Sequence, residues 1–226
     1  RIKKDDSSVP YKYNGYWYIT RYEKGKDYPV YTRKKETLSA KEELLFDCNE
    51  MAKGHTYFNL RGLNISPDNS LVAFATDTIG RRQYNLYIKD LKTNSILEDK
   101  VSNSTGSSTW ANDNKTLFYT LQNETTLRSE AIYKHTIGSN TKDDALVYEE
   151  KDDTFGVGVY KTKSNKYLVI SSYSTLTTEY QILNADTPNQ PFKVFQPRTR
   201  GLEYSIAHYG DCLLYTSDAA DEASSV

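Results

Sequence analysis

The chain has 226 residues, with 29 Lys and Arg against 30 Asp and Glu, a net charge of −1 and a pI near 6.4. So even a balance gives no electrostatic reason to bind nucleic acid or an anionic membrane. No apolar run approaches the roughly 18 residues that a membrane-spanning helix needs.

Apolar residues are only 37 % of the chain, yet it holds 20 Tyr, 7 Phe and 2 Trp. Tyrosine buries a large ring while keeping a polar tip, and it favours pleated strands. The composition therefore points to a β protein with thin, polar-edged sheets. Cys48 and Cys212 are the only cysteines, which argues against a disulfide framework and favours a reducing compartment. A cytoplasmic location is expected, with the periplasm left open.

In chain order, "YWYITRY" (16–22) and "YPVYTRK" (28–34) form a hairpin around "EKGKD", followed by "ELLFD" (43–47). The window "SAKEELLFDCNEMAKG" (39–54) has Ser39 as a possible N-cap and Glu42 three residues on. A strand followed by a loop is the preferred reading. "SLVAFATD" (70–77) and "YNLYIKDL" (84–91) flank "TIGRRQ"; "KTLFYTLQ" (115–122) and "EAIYKHTI" (130–137) flank "NETTLRS". "KYLVISSYS" (166–174) and "EYQILNAD" (179–186) flank "TLTT". Each pair leads into a further short apolar segment.

A turn precedes each of the last three hairpins: "SPDN" from Ser66, "ANDN" from Ala111 and "TKSN" from Thr162. Its final Asn (Asn69, Asn114, Asn165) tolerates the left-handed conformation. A spacing of about 45–50 residues with several short strands per repeat is the signature of β-propeller blades. A blade cannot bury both faces alone and must stack on its neighbours. The expected fold is all-β: an open arc of about four antiparallel blades from a roughly seven-bladed ring. Blades are expected near 14–50, 66–105, 111–150 and 162–200, with the start of a fifth, in a domain covering 1–211. A β-sandwich also has closely spaced strands, but nothing in it calls for a repeat at blade length.

"RIKKDDSSVPYKYNGYWYITRYEKGKDYPVYTRKK", "AKGHTYFNLRGLNISPDNSLVAFATDTIGRRQYNLYIKDLKT", "WANDNKTLFYT" and "VYEEKDDTFGVGVYKTKSNKYLVI" resemble the propeller of the prolyl oligopeptidase family of serine peptidases, and its oligopeptidase B branch in particular. The resemblance runs from Arg1 to about Tyr209. It implies a parent enzyme in which a propeller gates an α/β-hydrolase domain bearing a Ser-Asp-His triad, admits short peptides, and cleaves them after Lys or Arg. The implied partners are that hydrolase domain and short basic peptides; no cofactor, nucleic acid or membrane is implied.

The sequence contains no G-x-S-x-G elbow. Its three histidines, His55, His135 and His208, fall within propeller-like segments. No catalytic residue is therefore assigned, and the chain is expected to be inactive alone, as a piece cut from a longer enzyme. The closing "CLLYTSDAADE" (212–222) resembles the translation of a sequencing adapter, so 212–226 is expected to be a non-native tail. The alternative is a genuine strand of the fifth blade. A stand-alone propeller serving as a binding scaffold is the alternative function.

Glu149 and Glu150 in "YEEKDD" are candidates for steering basic peptides or contacting the hydrolase domain. Arg81, Arg82 and Arg128 sit in hairpin loops at one end of their blades and are candidates for the same contact. A plain solvated loop explains either group as well. No metal site is expected, because the histidines are far apart in sequence and lack clustered carboxylates. Gly156 and Gly158 in "FGVGVY" read as points of close backbone approach in a strand, and Trp110 as an anchor between blades.

Overall fold

The computed structural model describes residues 5–217. The first blade holds β1 (Asp6–Ser7), β2 (Tyr11–Tyr13), β3 (Tyr16–Tyr22), β4 (Val30–Lys35) and β5 (Glu42–Asp47). After a single helical turn, α1 (Cys48–Met51), come β6 (Asn59–Ile65), β7 (Leu71–Asp77), β8 (Tyr84–Asp90) and the long β9 (Ile96–Trp110). β10 (Thr116–Gln122), β11 (Ser129–Thr136) and β12 (Ala145–Glu149) follow, with a short 3-10 turn (Thr141–Asp143) before β12. β13 (Gly156–Lys161), β14 (Tyr167–Tyr173), β15 (Thr178–Asn184) and β16 (Lys193–Val194) make the fourth blade. β17 (Tyr204–Tyr209) and β18 (Cys212–Ser217) pair as a separate hairpin. Every pairing among these strands is antiparallel, and all except β1 with β3 join strands consecutive in the chain. The fold is a partial propeller in an open arc.

β9 serves two blades. Its first half is the outer strand of the second blade (Leu86 opposite Val101), and its second half is the inner strand of the third (Leu117 opposite Trp110). Ser104 is the hinge of this double service, opposite both Tyr84 and Leu121. The blades therefore begin earlier than the repeated turns suggest. β6, the second half of β9, and β13 each precede "SPDN", "ANDN" or "TKSN", which join inner strand to second strand rather than opening the blade. These inner strands run through "NLRGLNI", "STGSSTW" and "GVGVYK", whose small and polar residues mute the apolar alternation that marks a strand. The crowding near the axis explains the composition: a Cβ on Gly62 would lie 1.9 Å from the Gly106 carbonyl oxygen.

The second strands behave oppositely. Along β7, Val72 and Phe74 pack with Leu45, Phe46 and Leu60 toward the first blade, while Ala73 and Ala75 pack with Trp110, Leu117 and Tyr119 toward the third. Along β10, Leu117 and Tyr119 face back and Phe118 faces the fourth blade with Leu168 and Ile170. Along β14, Val169 turns to Tyr204 and Ile206. A period of two with both faces buried gives continuous apolar runs, which is why these strands stand out in the sequence.

The four-residue turns also lace the blades together. Asn69, Asn114 and Asn165 adopt φ of +64°, +59° and +60°, the left-handed conformation expected of them. Asn14 Nδ2 donates to the Pro67 carbonyl (2.7 Å), the Asp68 amide donates to Asn114 Oδ1 (2.8 Å), and Asn112 Nδ2 donates to the Asn165 carbonyl (2.9 Å). Trp110 is fully buried and its Nε1 donates to the Asn64 carbonyl at 2.9 Å, tying the third blade to the second as anticipated.

Residues 39–54 combine both readings: "EELLFD" is β5, and one helical turn follows in place of a plain loop. Its N-cap is Asp47, not Ser39, because the Asp47 carboxylate accepts the amides of Asn49 and Glu50. Residues 212–217 form β18, in register with β17 over its whole length; residues 218–226 of the expected tail lie outside the described residues.

Candidate functional site

Because successive strands are antiparallel, the loops β7–β8, β10–β11 and β14–β15 gather at the end of the arc opposite the Asn turns. The links between blades at 150–155 and 195–203 reach the same end. All five candidate residues map to this loop face, but they do different things there.

Glu149 is exposed at the end of β12. Glu150, the next residue, is only 5 % exposed. Its Oε2 pairs with Arg198 Nη2 at 2.5 Å and accepts the Tyr148 hydroxyl at 2.9 Å, while Oε1 accepts the Asp152 amide at 3.1 Å. Burial pushes this carboxyl up, but Arg198, the Asp152 amide and Tyr148 more than offset it, and the net pKa lies below the ordinary carboxylate value. Arg198 also stacks over the Phe155 ring, 3.8 Å from its centroid. Glu150 is thus an inter-blade fastener rather than a solvent-facing charge, and the pairing of neighbours in "YEE" conceals this. Arg128 has a similar part: its Nη1 donates to the carbonyls of Glu150, Asp152 and Phe155, and its Nη2 meets Glu130 at 3.1 Å.

Arg81 and Arg82 are exposed. The loop that carries them is built on Asp77, which is 1 % exposed and accepts the amides of Ile79, Gly80 and Arg82 at 2.8, 2.9 and 2.8 Å. Arg82 is held at φ +58°, with its carbonyl accepting Gln122 Nε2 at 2.8 Å from the next blade. The loop end thus sorts into locked charges, Glu150 and Arg128, and presented ones, Glu149, Arg81 and Arg82. Sequence reasoning missed Arg198, Asp77 and Gln122. Of these only Asp77, closing an apolar strand before "TIG", left a local signal, that of an Asx turn.

The histidines assemble no catalytic group among the described residues. A catalytic histidine must offer one ring nitrogen to a nucleophile and the other to an orienting carboxylate. His135 turns both to carboxylates, Nδ1 to Asp144 (2.7 Å) and Nε2 to Asp99 (2.8 Å). His208 Nδ1 lies 2.8 Å from Ser164 Oγ, but that oxygen also accepts the Lys166 amide in its turn, and no carboxylate orients the ring. His55 is exposed beside Phe58. No cluster of three or more His, Cys, Asp or Glu is placed to hold a metal among the described residues. Gly156 does mark a close approach, since a Cβ there would come within 3.1 Å of Ser129 Oγ and of the Tyr173 ring. Gly158 has ordinary room, 3.6 Å from Ser171 Oγ.

Comparison with known proteins bears on this arrangement. The model of the prolyl oligopeptidase N-terminal β-propeller domain matches residues 1–224. Dipeptidyl aminopeptidase BI of Pseudoxanthomonas mexicana is 39 % identical, over 93 % of this chain and 31 % of its own length. Protease 2 of Moraxella lacunata is 33 % identical, over 95 % and 32 % respectively. Among solved structures, oligopeptidase B from Leishmania major superposes with a TM-score of 0.89 at 30 % identity, covering 96 % of this chain and 31 % of that one. The chain therefore spans about a third of the length of these relatives, which contain further domains beyond the matched region. By sequence and by fold alike, this chain belongs to the prolyl oligopeptidase family, as the N-terminal β-propeller region of an oligopeptidase B/protease 2-like peptidase.

Proposed function

We propose that this chain is the gating part of a serine endopeptidase that cleaves short peptides after Lys or Arg. It would act by restricting access to a separate α/β-hydrolase domain and would contribute no catalytic group itself. The observation that carries this is the correspondence of nearly the whole chain to the propeller third of oligopeptidase B from Leishmania major. His135, with both ring nitrogens turned to carboxylates, Asp144 and Asp99, has the role of a buried blade tie in this reading. In this reading Arg81, Arg82 and Glu149, presented on the loop face, meet the hydrolase domain or the incoming peptide, whereas Glu150 and Arg128 keep the third and fourth blades in register.

The test compares three proteins: this chain, the full polypeptide that contains it, and the hydrolase portion alone. The full polypeptide is expected to hydrolyse arginyl and lysyl amide substrates and to spare folded proteins, and the isolated hydrolase portion to lose that size limit if it folds. This chain is expected to be inert to those substrates and to a fluorophosphonate probe. Labelling of this chain by the probe would overturn the reading. So would a full polypeptide that degrades folded proteins as readily as peptides.

A further inference from the structure

A pocket of about 300 Å³ opens among the inner strands of the second, third and fourth blades, close to the loop face. Its wall includes Arg61, Arg82, Tyr84, Thr120, Gln122 and Leu127, and no carboxylate lines it among the described residues. Neither Arg61 nor Arg82 has an acidic partner within salt-bridge distance among those residues, whereas Arg21, Arg33, Arg128 and Arg198 all do. Two unneutralised guanidiniums on one small concavity call for an anion, and the planar fork of arginine suits oxygens held in pairs.

The pocket is built rather than incidental. Arg61 lies across Gly106, where a Cβ would come within 2.8 Å of Arg61 Cδ, and Gly106 in turn leaves no room for a Cβ on Gly62. Two glycines at φ +68° and +80° thus bring two inner strands together and seat the arginine, whose guanidinium sits 5.2 Å from the Tyr84 ring centroid. Arg82 and Leu127 are held at φ +58° and +59°. That region is costly for residues with a Cβ, above all for bulky ones, and persists where the surroundings enforce it. Asp77 and Gln122 supply the enforcement at Arg82. Finally, Thr120 is 1 % exposed, lines the pocket, and its Oγ1 has no hydrogen-bond partner among the described residues. A buried hydroxyl left unpaired is unfavourable unless something bonds it.

We propose that this pocket is an oxyanion site, taking a carboxylate or phosphate group of a ligand between Arg61 and Arg82, with the Thr120 hydroxyl as a further donor. It needs no peptidase activity and is readable on this chain alone, so its failure is distinct from failure of the gating role.

Ligand-observed NMR titration of the 226-residue chain provides the test, with acetyl-trialanine, acetyl-trialanine amide and inorganic phosphate as probes. The free acid is expected to bind at least about tenfold tighter than the amide, and R61Q or R82Q to remove about that factor. R61K, which keeps the charge, should recover part of the loss, and T120V should weaken the acid several-fold while circular dichroism stays unchanged. Saturable, substitution-sensitive binding of phosphate without binding of the acid also supports the site and identifies phosphate as its source of oxygens. Equal binding of acid and amide with no phosphate binding, no binding of any probe, or binding indifferent to R61Q, R82Q and T120V would each overturn it.

Discussion

The interface between the third and fourth blades and the one between the fourth blade and the β17–β18 hairpin are made by the same geometry with unequal results. At the first, Phe118, Ile132, Val157, Val159, Leu168, Ile170 and Leu183 are all buried in one cluster shared by the two blades. At the second, Val169, Tyr204 and Ile206 alone are buried among the described residues, with Tyr180, Ile182 and Phe195 partly buried against them. β10 and β14 are buried on both faces, whereas β18 leaves Leu214 52 % and Tyr215 40 % exposed. A propeller strand gains most of its stability from having a blade on each side; among the described residues β18 packs through Tyr215, 5.0 Å from the Tyr204 ring of its own hairpin and 6.4 Å from Phe195 between ring centroids. The Glu150–Arg198 and Arg128 ties belong to the sealed interface, so the loop face is stiffest where the blades are best packed.

Substitutions at the two regions should therefore separate in size. The largest loss is expected from W110A in the second-to-third blade interface, about 3–5 kcal/mol from the cavity and the lost bond to Asn64, read as a drop in denaturant midpoint. R198A should cost about 3 kcal/mol by stranding the buried Glu150 carboxylate. R198K should recover only part, because the stack on Phe155 and the paired contacts need a planar guanidinium. At the open interface, Y215A is expected to cost about 1 kcal/mol or less. H208A, at an exposed contact with Ser164, should lie within about 0.5 kcal/mol. Equal losses for W110A and Y215A would erase the distinction.

The same contrast has a pH dependence. The folded-state pKa of Glu150 is below its ordinary value of 4.5. The stability that this carboxylate contributes is thus fully present above 4.5 and is lost as the pH falls through the lower folded value. The E150Q variant should be less stable at neutral pH and should show a flatter acid limb than the unmodified chain. An unchanged acid limb would mean that Glu150 is not held as an anion.

What could be read from the sequence follows from these packing differences. β7, β10 and β14 bury both faces and so appear as unbroken apolar runs, and the αL asparagines of the turns before them announce the blade period. The family was legible in long, specific wording. The inner strands were not read as the start of each blade, because Gly62, Gly106 and their Ser-rich neighbours trade the apolar pattern for close backbone approach. The roles of the loop charges were legible only as positions. Nothing local distinguishes exposed Glu149 from buried Glu150, since Arg198, which decides the matter, lies 48 residues away. The same holds for Arg61, whose seat depends on Gly106 in another blade.

Hydrogen exchange read by mass spectrometry along the whole chain tests the account of a sealed stack with one open leaf most directly. Amides of β7, β10 and β14 should exchange only through global unfolding, while those of β17 and β18 exchange orders of magnitude faster through local opening. Protection of β18 equal to that of β14 would contradict it, as would fast exchange in β10.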